Sequence, residues 1–317
     1  MVTDQLSRIF DVIEVRGVLT GGLVARGPWV SRAAVSDVEF LAVVAGQVRL
    51  TVETSDDPIS LGPGDVVVLN GRSRVELRGA ADGRPREVEP EDGFESLRRI
   101  GFPSALVPGQ DVLVGGRVDL NPVGRSLLGQ ALPPVAHVRG AGTAGAHVRG
   151  SVHRLLDELA DDRMGAEHAI RQHTQILLLE VLRSVIEHAD LPSGWLRALA
   201  DPRLRPALDA IHAEPSRTWS LTALARTAAM SRTSFAERFR EQAGVPPITY
   251  LHRWRIVLAQ RALRDGDTRV AALADQLGYA SESSFSNAFK REVGVSPLGS
   301  RRQVLGTSRP ESAGASI

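Results

Sequence analysis

Two segments in the last third of the chain carry side chains whose types match the edges of nucleic-acid bases. One reads Ser231-Arg-Thr-Ser-Phe235-Ala-Glu-Arg-Phe239-Arg-Glu-Gln-Ala-Gly244-Val-Pro-Pro247. The other reads Ser281-Glu-Ser-Ser-Phe285-Ser-Asn-Ala-Phe289-Lys-Arg-Glu-Val-Gly294-Val-Ser-Pro297. In each, two phenylalanines four residues apart share one face of a helix. The opposite face is polar. It presents Arg232, Thr233, Ala236 and Glu237 in the first copy, and Glu282, Ser283, Ser286 and Asn287 in the second. Arginine pairs bidentately with guanine, a carboxylate accepts from the cytosine amino group, and asparagine matches adenine. These eight positions are the candidates for base reading. Arg238, Arg240, Arg253, Arg255, Lys290 and Arg291 are candidates for phosphate contacts, which fix register and carry no sequence information.

The elements that must position these residues can be read around them. A shorter apolar helix precedes each copy, with Leu224 and Ala225 before the first and Leu273 and Ala274 before the second. Those four residues, with Phe235, Phe239, Phe285 and Phe289, are the expected core of two helix-turn-helix units. The small alanines allow close crossing of the two helices. Gly278 supplies the positive φ that such a turn often needs; Ala229 holds the equivalent place in the first copy. The second turn is longer by one residue, around Tyr279-Ala280. Between the units, Pro247–Leu263 forms a helix that opens on proline and closes at Asp265-Gly266. At ~1.5 Å per residue it is a rod of roughly 25 Å, able to hold two recognition helices about one DNA turn apart.

Charge separates the same region from the rest. The formal net charge of the 317 residues is +1. It resolves into −6 over residues 1–202 and +7 over residues 203–302. A basic third behind an acidic body fits a domain that faces a polyanion, and fits equally an Arg-rich surface that is simply solvated. The composition, 43% hydrophobic and 24% charged, excludes a disordered or collagen-like chain. There is no cysteine, so a thiol nucleophile, an iron–sulfur cluster and a Cys-ligated zinc are excluded. No apolar run reaches membrane-spanning length. Met1–Arg16 lacks the pattern of a signal peptide, so a cytoplasmic location is expected.

The first 120 residues read as short strands. Gln47–Glu53 alternates, with Val48, Leu50 and Val52 on one side. Phe40–Val44 precedes it across Gly46. Leu61-Gly-Pro-Gly-Asp65 is a turn, Val66–Leu69 a β-branched run ending at Asn70-Gly71, and Val75 and Leu77 alternate again. Val112–Val114 and Arg117–Leu120 flank Gly115-Gly116, read as a further hairpin. An antiparallel sandwich or barrel is expected. The stretch Phe40–Gly46 followed by Leu61-Gly-Pro-Gly-Asp65 and Val-Val-Val-Leu-Asn70 resembles the two motifs of a cupin barrel. Metal-dependent cupins hold their metal with histidines there. Here all eight histidines lie at position 137 or beyond, so no metal and no cofactor are expected. A barrel without metal still has an interior for a small molecule.

Residues 121–150 are rich in Gly, Pro and Ala and read as a connector. Gly140-Ala-Gly-Thr-Ala-Gly145 matches G-x-G-x-x-G, but no alternating strands surround it and Gly150 interrupts the helix to follow, so a loop is expected over a dinucleotide site. Ser151–Asp161 and Glu167–His188 have helical periodicity, with Leu155, Leu156 and Leu159 in one stripe. The second helix is apolar over more than one face. One face is expected to pack within the chain; the other suits either a two-fold contact between subunits or further packing within the chain. His147/His153 and His168/His173 have spacings that put each pair on different helix faces, unlike metal ligands.

From Leu204 to Arg302 the chain closely resembles the AraC family of bacterial transcription regulators. Ala-Met-Ser-Arg-Thr-Ser-Phe235, Pro-Ile-Thr-Tyr-Leu251 and Gly-Tyr-Ala-Ser-Glu-Ser-Ser-Phe285 carry the likeness. The resemblance implies an α+β protein: a cupin-like sensor barrel over residues 1–136, a helical dimerisation region over 137–202, a double helix-turn-helix domain over 203–302 and a disordered tail over 303–317. It implies a homodimer that binds a double-stranded operator, answers to a small-molecule effector and engages RNA polymerase, and it implies no catalytic residue. The competing readings are a cupin enzyme fused to a DNA-binding module, and a nucleoid or RNA-binding protein without sequence preference.

Overall fold

Strict alternation and tight glycine turns make the first half of the chain β-rich, and caps and apolar stripes make the second half helical. The computed structural model describes residues 4–13, 16–53, 55–71, 73–92, 108–160, 163–188, 191–266 and 268–307. They form two compact units, Ile13–Pro192 and Met1–Val12 with Ser193–Ile317.

In the first unit the strands are β1 (Arg16–Arg26), β2 (Trp29–Val35), β3 (Val38–Ala45), β4 (Val48–Val52), β5 (Ser55–Leu61), β6 (Val66–Asn70), β7 (Ser73–Gly79), β8 (Arg86–Glu87), β9 (Glu91–Asp92), β10 (Gln110–Asp119) and β11 (Val135–Val138). They build a sheet of order β11-β6-β3-β10-β1-β9 and a second of order β5-β4-β7-β2-β8. All pairings are antiparallel except β2 with β8. The inward residues of both sheets meet in one core, including Leu23, Val43, Val67 and Leu113 from the first and Trp29, Leu50, Leu61 and Val75 from the second. Burying such side chains is worth ~1.5–3 kcal/mol each before chain entropy is set against it. Gly46 and Gly71 have φ of 88° and 96°, as tight turns at these positions require.

Several expectations need correction. Gly115-Gly116 is not a turn. β10 runs straight through it, pairing with β1 on one side and β3 on the other. The flanking strands lend the glycine pair their hydrogen bonds, which a periodicity reading cannot see. Residues 121–150 are not a bare connector either. They contain a helix α2 (Pro122–Ala131), capped by the Asn121 side chain, and then β11, which pairs with β6. A boundary at 136 would cut β11 in two. β11 also brings His137 into the sheet, where its Nε2 lies 3.2 Å from Asp65 of the Gly-Pro-Gly-Asp turn. The strand region therefore does hold a histidine.

The G-x-G-x-x-G stretch leads into a helix. α3 (Gly142–Ala160) begins within it and continues through Gly150. Two of the stretch's glycines serve close packing: a Cβ on Gly140 would stand 2.6 Å from the Gly64 backbone, and one on Gly145 would stand 2.3 Å from the Arg139 carbonyl. α4 (Ala166–His188) follows and packs on β1 and β11. Leu155, Leu156 and Leu159 are buried, as are Ile170, Leu177 and Val181, whereas Ile176 is 40% exposed.

The second unit contains α1 (Gln5–Ile13) up to Val12, α5 (Trp195–Ala200), α6 (Arg205–Ala213), α7 (Leu221–Thr227), α8 (Arg232–Ala243), α9 (Pro247–Asp265), α10 (Val270–Gln276), α11 (Glu282–Val293) and α12 (Pro297–Thr307). The Gln5 amide donates to the Arg205 carbonyl at 3.0 Å and to Asp209 at 2.7 Å, tying α1 to α6. The expected tail from 303 starts too early, because α12 reaches Thr307; residues 308–317 lie outside the described residues.

Candidate nucleic-acid interface

The repeat in the sequence is a repeat in space. Ser231 and Ser281 are the N-caps of α8 and α11, their hydroxyls accepting from the backbone of Ser234 and Ser284. Gly244 and Gly294 end the helices in the left-handed conformation, with φ of 71° and 86°. Phe235, Phe239, Phe285 and Phe289 are fully buried. The ring centroids stand 5.6 Å apart in the first pair and 5.7 Å in the second, with interplanar angles of 57° and 59°. Leu224, Ala225, Leu273 and Ala274 are buried beneath them.

The turns match as well. After α7, Met230 N–H bonds to the Ala225 carbonyl and Ala229 N–H to Arg226. After α10, Tyr279 N–H bonds to Ala274 and Gly278 N–H to Asp275. Both are Schellman endings, whose penultimate residue must take a positive φ. Ala229 has φ 52° and Gly278 φ 74°. The extra residue of the second turn follows at Ala280.

With the phenylalanines turned in, the outer faces of α8 and α11 are set. Arg232, Thr233 and Glu237 are exposed and Ala236 half-buried on α8. Glu282, Ser283 and Asn287 are exposed and Ser286 half-buried on α11. Arg240 and Lys290 are exposed one turn further along, and Arg291 is exposed at the end of α11. Arg253, on α9, is exposed, its Nε 3.6 Å from Glu292.

Two arginines expected at phosphates are engaged elsewhere. Arg255 is buried, 4% exposed. Its Nε donates to the Pro215 carbonyl at 2.6 Å, Nη1 to Gly278 at 3.2 Å and Nη2 to Arg217 at 3.0 Å. The guanidinium also lies over the Tyr279 ring, and burial pushes its pKa down. It is a clamp between the segment preceding α7 and the turn between α10 and α11. Helical spacing could have warned of this, because Arg255 follows Leu251 and Trp254 on the buried stripe of α9. Arg238 donates to the buried Asp201 carboxylate at 2.6 Å, fastening α8 to the start of the α5–α6 loop. His212, to which the sequence gives no role, is buried as well. His212 Nε2 meets the Tyr250 hydroxyl at 2.9 Å, and its ring lies 4.4 Å from that of Trp254. Burial, then the nearby Arg8 charge, holds its pKa down at about 3.

Two capped helices with unlike polar faces, joined through α9, make up this candidate interface. Residues 4–187 match the cupin family model and residues 224–303 match a helix-turn-helix domain model. An AraC-like transcription regulator of Streptomyces lividans is 37% identical over 93% of this chain and 96% of its own length. The chain belongs to the AraC family of transcription regulators. A second AraC-like regulator, from Streptomyces antibioticus, is 36% identical over 95% of this chain and 99% of its own. The regulator AlkR of Acinetobacter baylyi is 27% identical over 95% and 99%. Among solved structures, the DNA-binding domain of AdpA in complex with a target DNA is 30% identical over 35% of this chain and 99% of that one, with a TM-score of 0.32. By its family and its full-length relatives this chain is a DNA-binding transcription regulator, with a cupin-like, sheet-rich N-terminal region and a helical C-terminal one. No helix among the described residues is long and apolar enough to cross a membrane.

Proposed function

We propose that this regulator reads a two-part operator with α8 and α11, and that a small molecule held between its two sheets modulates that binding. One observation carries the first half. α8 and α11 share cap, core and terminus, yet one exposes Arg232, Thr233 and Glu237 and the other Glu282, Ser283 and Asn287. Identical scaffolding under different polar faces serves two different base sequences, and a non-specific binder has no use for the difference. Arg240, Arg253, Lys290 and Arg291 supply the phosphate contacts. The second half rests on a cavity of about 210 Å³ lined by both sheets. Binding there shifts the population of DNA-competent forms. The exposed Ile176 on the largely apolar α4 supports a two-fold contact through that helix, so the working species is a homodimer. It acts in the cytoplasm, with RNA polymerase as its second partner, and does not act as a cupin enzyme.

The test is selection of bound fragments from a randomised DNA pool by the purified full-length protein. The expected result is a motif with two conserved blocks about one helical turn apart. Recovery of sequences without any motif, retained only at low salt, would overturn the reading.

A further inference from the structure

The cavity between the sheets has a composition that restricts what it can hold. We propose that its ligand is a small, mostly apolar molecule of roughly monocyclic size, with one hydrogen-bond-donating head directed at Glu39, and that it is not a carboxylic acid. This rests on the reading that the cavity is an effector site, and gives that effector a chemistry.

Register shows how the cavity arises. In the six-stranded sheet the inward positions form layers. One layer is Leu23 opposite Leu113, with Val43 beyond. The next is Gly21 opposite Gly115, with Leu41 and then Val67 beyond. Two glycines face each other where the neighbouring layer has two leucines, and the side chains they lack leave the space. A Cβ on Gly115 would meet nothing closer than the Phe40 carbonyl at 3.6 Å, ordinary contact. So this glycine is not required by crowding, and its φ is not positive. What Gly115 contributes is room. The opposite wall is aliphatic, with Val35, Leu50, Val75 and Leu77. At about 210 Å³ the cavity exceeds the ~150 Å³ apolar cavity that holds benzene.

The layer above the glycines sets the polarity. There Glu39 stands between Leu69 on β6 and Arg117 on β10. It is the one ionisable residue lining the cavity among the described residues. Arg117 directs its Nε to Asp119 at 2.7 Å, and Glu39 receives the Ser36 N–H at a long 3.4 Å. Burial pushes the Glu39 carboxyl up, only partly opposed by Ser36 and Arg117. A half-buried carboxylate at the end of an aliphatic chamber is best satisfied by a donor from the ligand. A ligand carboxylate would meet a like charge there.

Titration calorimetry on the full-length protein with toluene, benzyl alcohol, benzylamine and benzoate tests this. The alcohol and the amine are expected to bind at least tenfold more tightly than benzoate, and more tightly than toluene. The alcohol and amine arms separate a neutral donor from a cationic one. In Glu39→Gln the amine-over-benzoate preference should fall to within threefold, and Gly115→Leu should abolish binding of all four. If benzoate binds as well as the alcohol and the amine, or if Glu39→Gln leaves the preference intact, the chemistry assigned to the ligand is overturned while the cavity stands. If none of the four binds the wild type, or Gly115→Leu binds them all unchanged, the effector site itself is overturned. Wild-type rankings decide the first question even if a variant fails to fold.

Discussion

Ala229 and Gly278 occupy the same position in the two helix-turn-helix turns, and both carry a positive φ, 52° and 74°. Among the described residues Ala229 is the only non-glycine with one. A Cβ in this region costs ~1–2 kcal/mol. Ala229→Gly should therefore stabilise the regulator by about 0.5–1 kcal/mol, after allowing for the freedom glycine gains in the unfolded chain. Gly278→Ala should do the reverse and more, since its Cβ would stand 2.0 Å from the Ser216 carbonyl oxygen. Denaturant unfolding of both variants checks the pair. Equal effects of the two substitutions would contradict the geometry.

Arg255 satisfies three carbonyls at once. Arg255→Leu should cost several kcal/mol, at ~1–3 for each buried acceptor left without a donor. Arg255→Lys should rescue little of that, because one ammonium cannot span a planar fork of acceptors. If the clamp matters as described, both variants lose operator affinity and thermal stability together. Loss of DNA binding with unchanged stability would instead restore Arg255 to a direct phosphate role.

Arg232→Ala and Arg253→Ala should separate reading from positioning. The first is expected to cost ~1–3 kcal/mol on the preferred operator and to relax selection at one or two base pairs. The second should weaken all duplexes alike and lower the salt dependence by about one counterion. Competition with a panel of point-mutated operators measures both. Uniform weakening by Arg232→Ala would remove α8 from the major groove.

His212 gives the fold a defined acid sensitivity. Its folded pKa, about 3, lies below the ordinary value of 6.5. Above pH 6.5 neither state binds the proton, and no stability is lost. Below it the unfolded chain takes up a proton that the folded one refuses, so stability declines as pH falls from 6.5 toward 3, by up to ~1.4 kcal/mol per unit. His212→Leu should flatten that slope between pH 6.5 and 4.5, although it loses the Tyr250 bond and is less stable at pH 7. Parallel slopes for variant and wild type would place the acid sensitivity elsewhere.

What could be read beforehand followed from locality. Ser231, Phe235, Phe239 and Gly244 announce a cap, a face and a terminus within fourteen residues, and Ser281, Phe285, Phe289 and Gly294 repeat them. β3, β4 and β6 are equally legible: Val48, Leu50 and Val52 alternate within one strand, and Phe40–Val44 and Val66–Leu69 are short apolar runs bounded by turn residues. The misreadings all depend on distant partners. Gly115-Gly116 looks like a turn until β1 and β3 are placed beside it. Arg255 looks like any surface arginine until Pro215, Arg217 and Gly278 surround it. β1 and β2 are hidden in the sequence, since Gly21-Gly22 and Gly27-Pro28 obscure the alternation. The cavity is the same case: two glycines ninety-odd residues apart mean little singly and define a chamber once paired.

The bond from Gln5 to α6 bears on how this protein is taken apart. The helical unit takes in α1 as well as everything from Ser193 onward, so a fragment that starts at Ser193 would be missing one of its own pieces. Such a fragment would give up the amide that donates to Arg205 and Asp209, and the Arg8 charge that adds to burial in holding the His212 pKa down. Affinities measured on it would describe an amputated module, and adding back a peptide of the first dozen residues would be the way to see the difference.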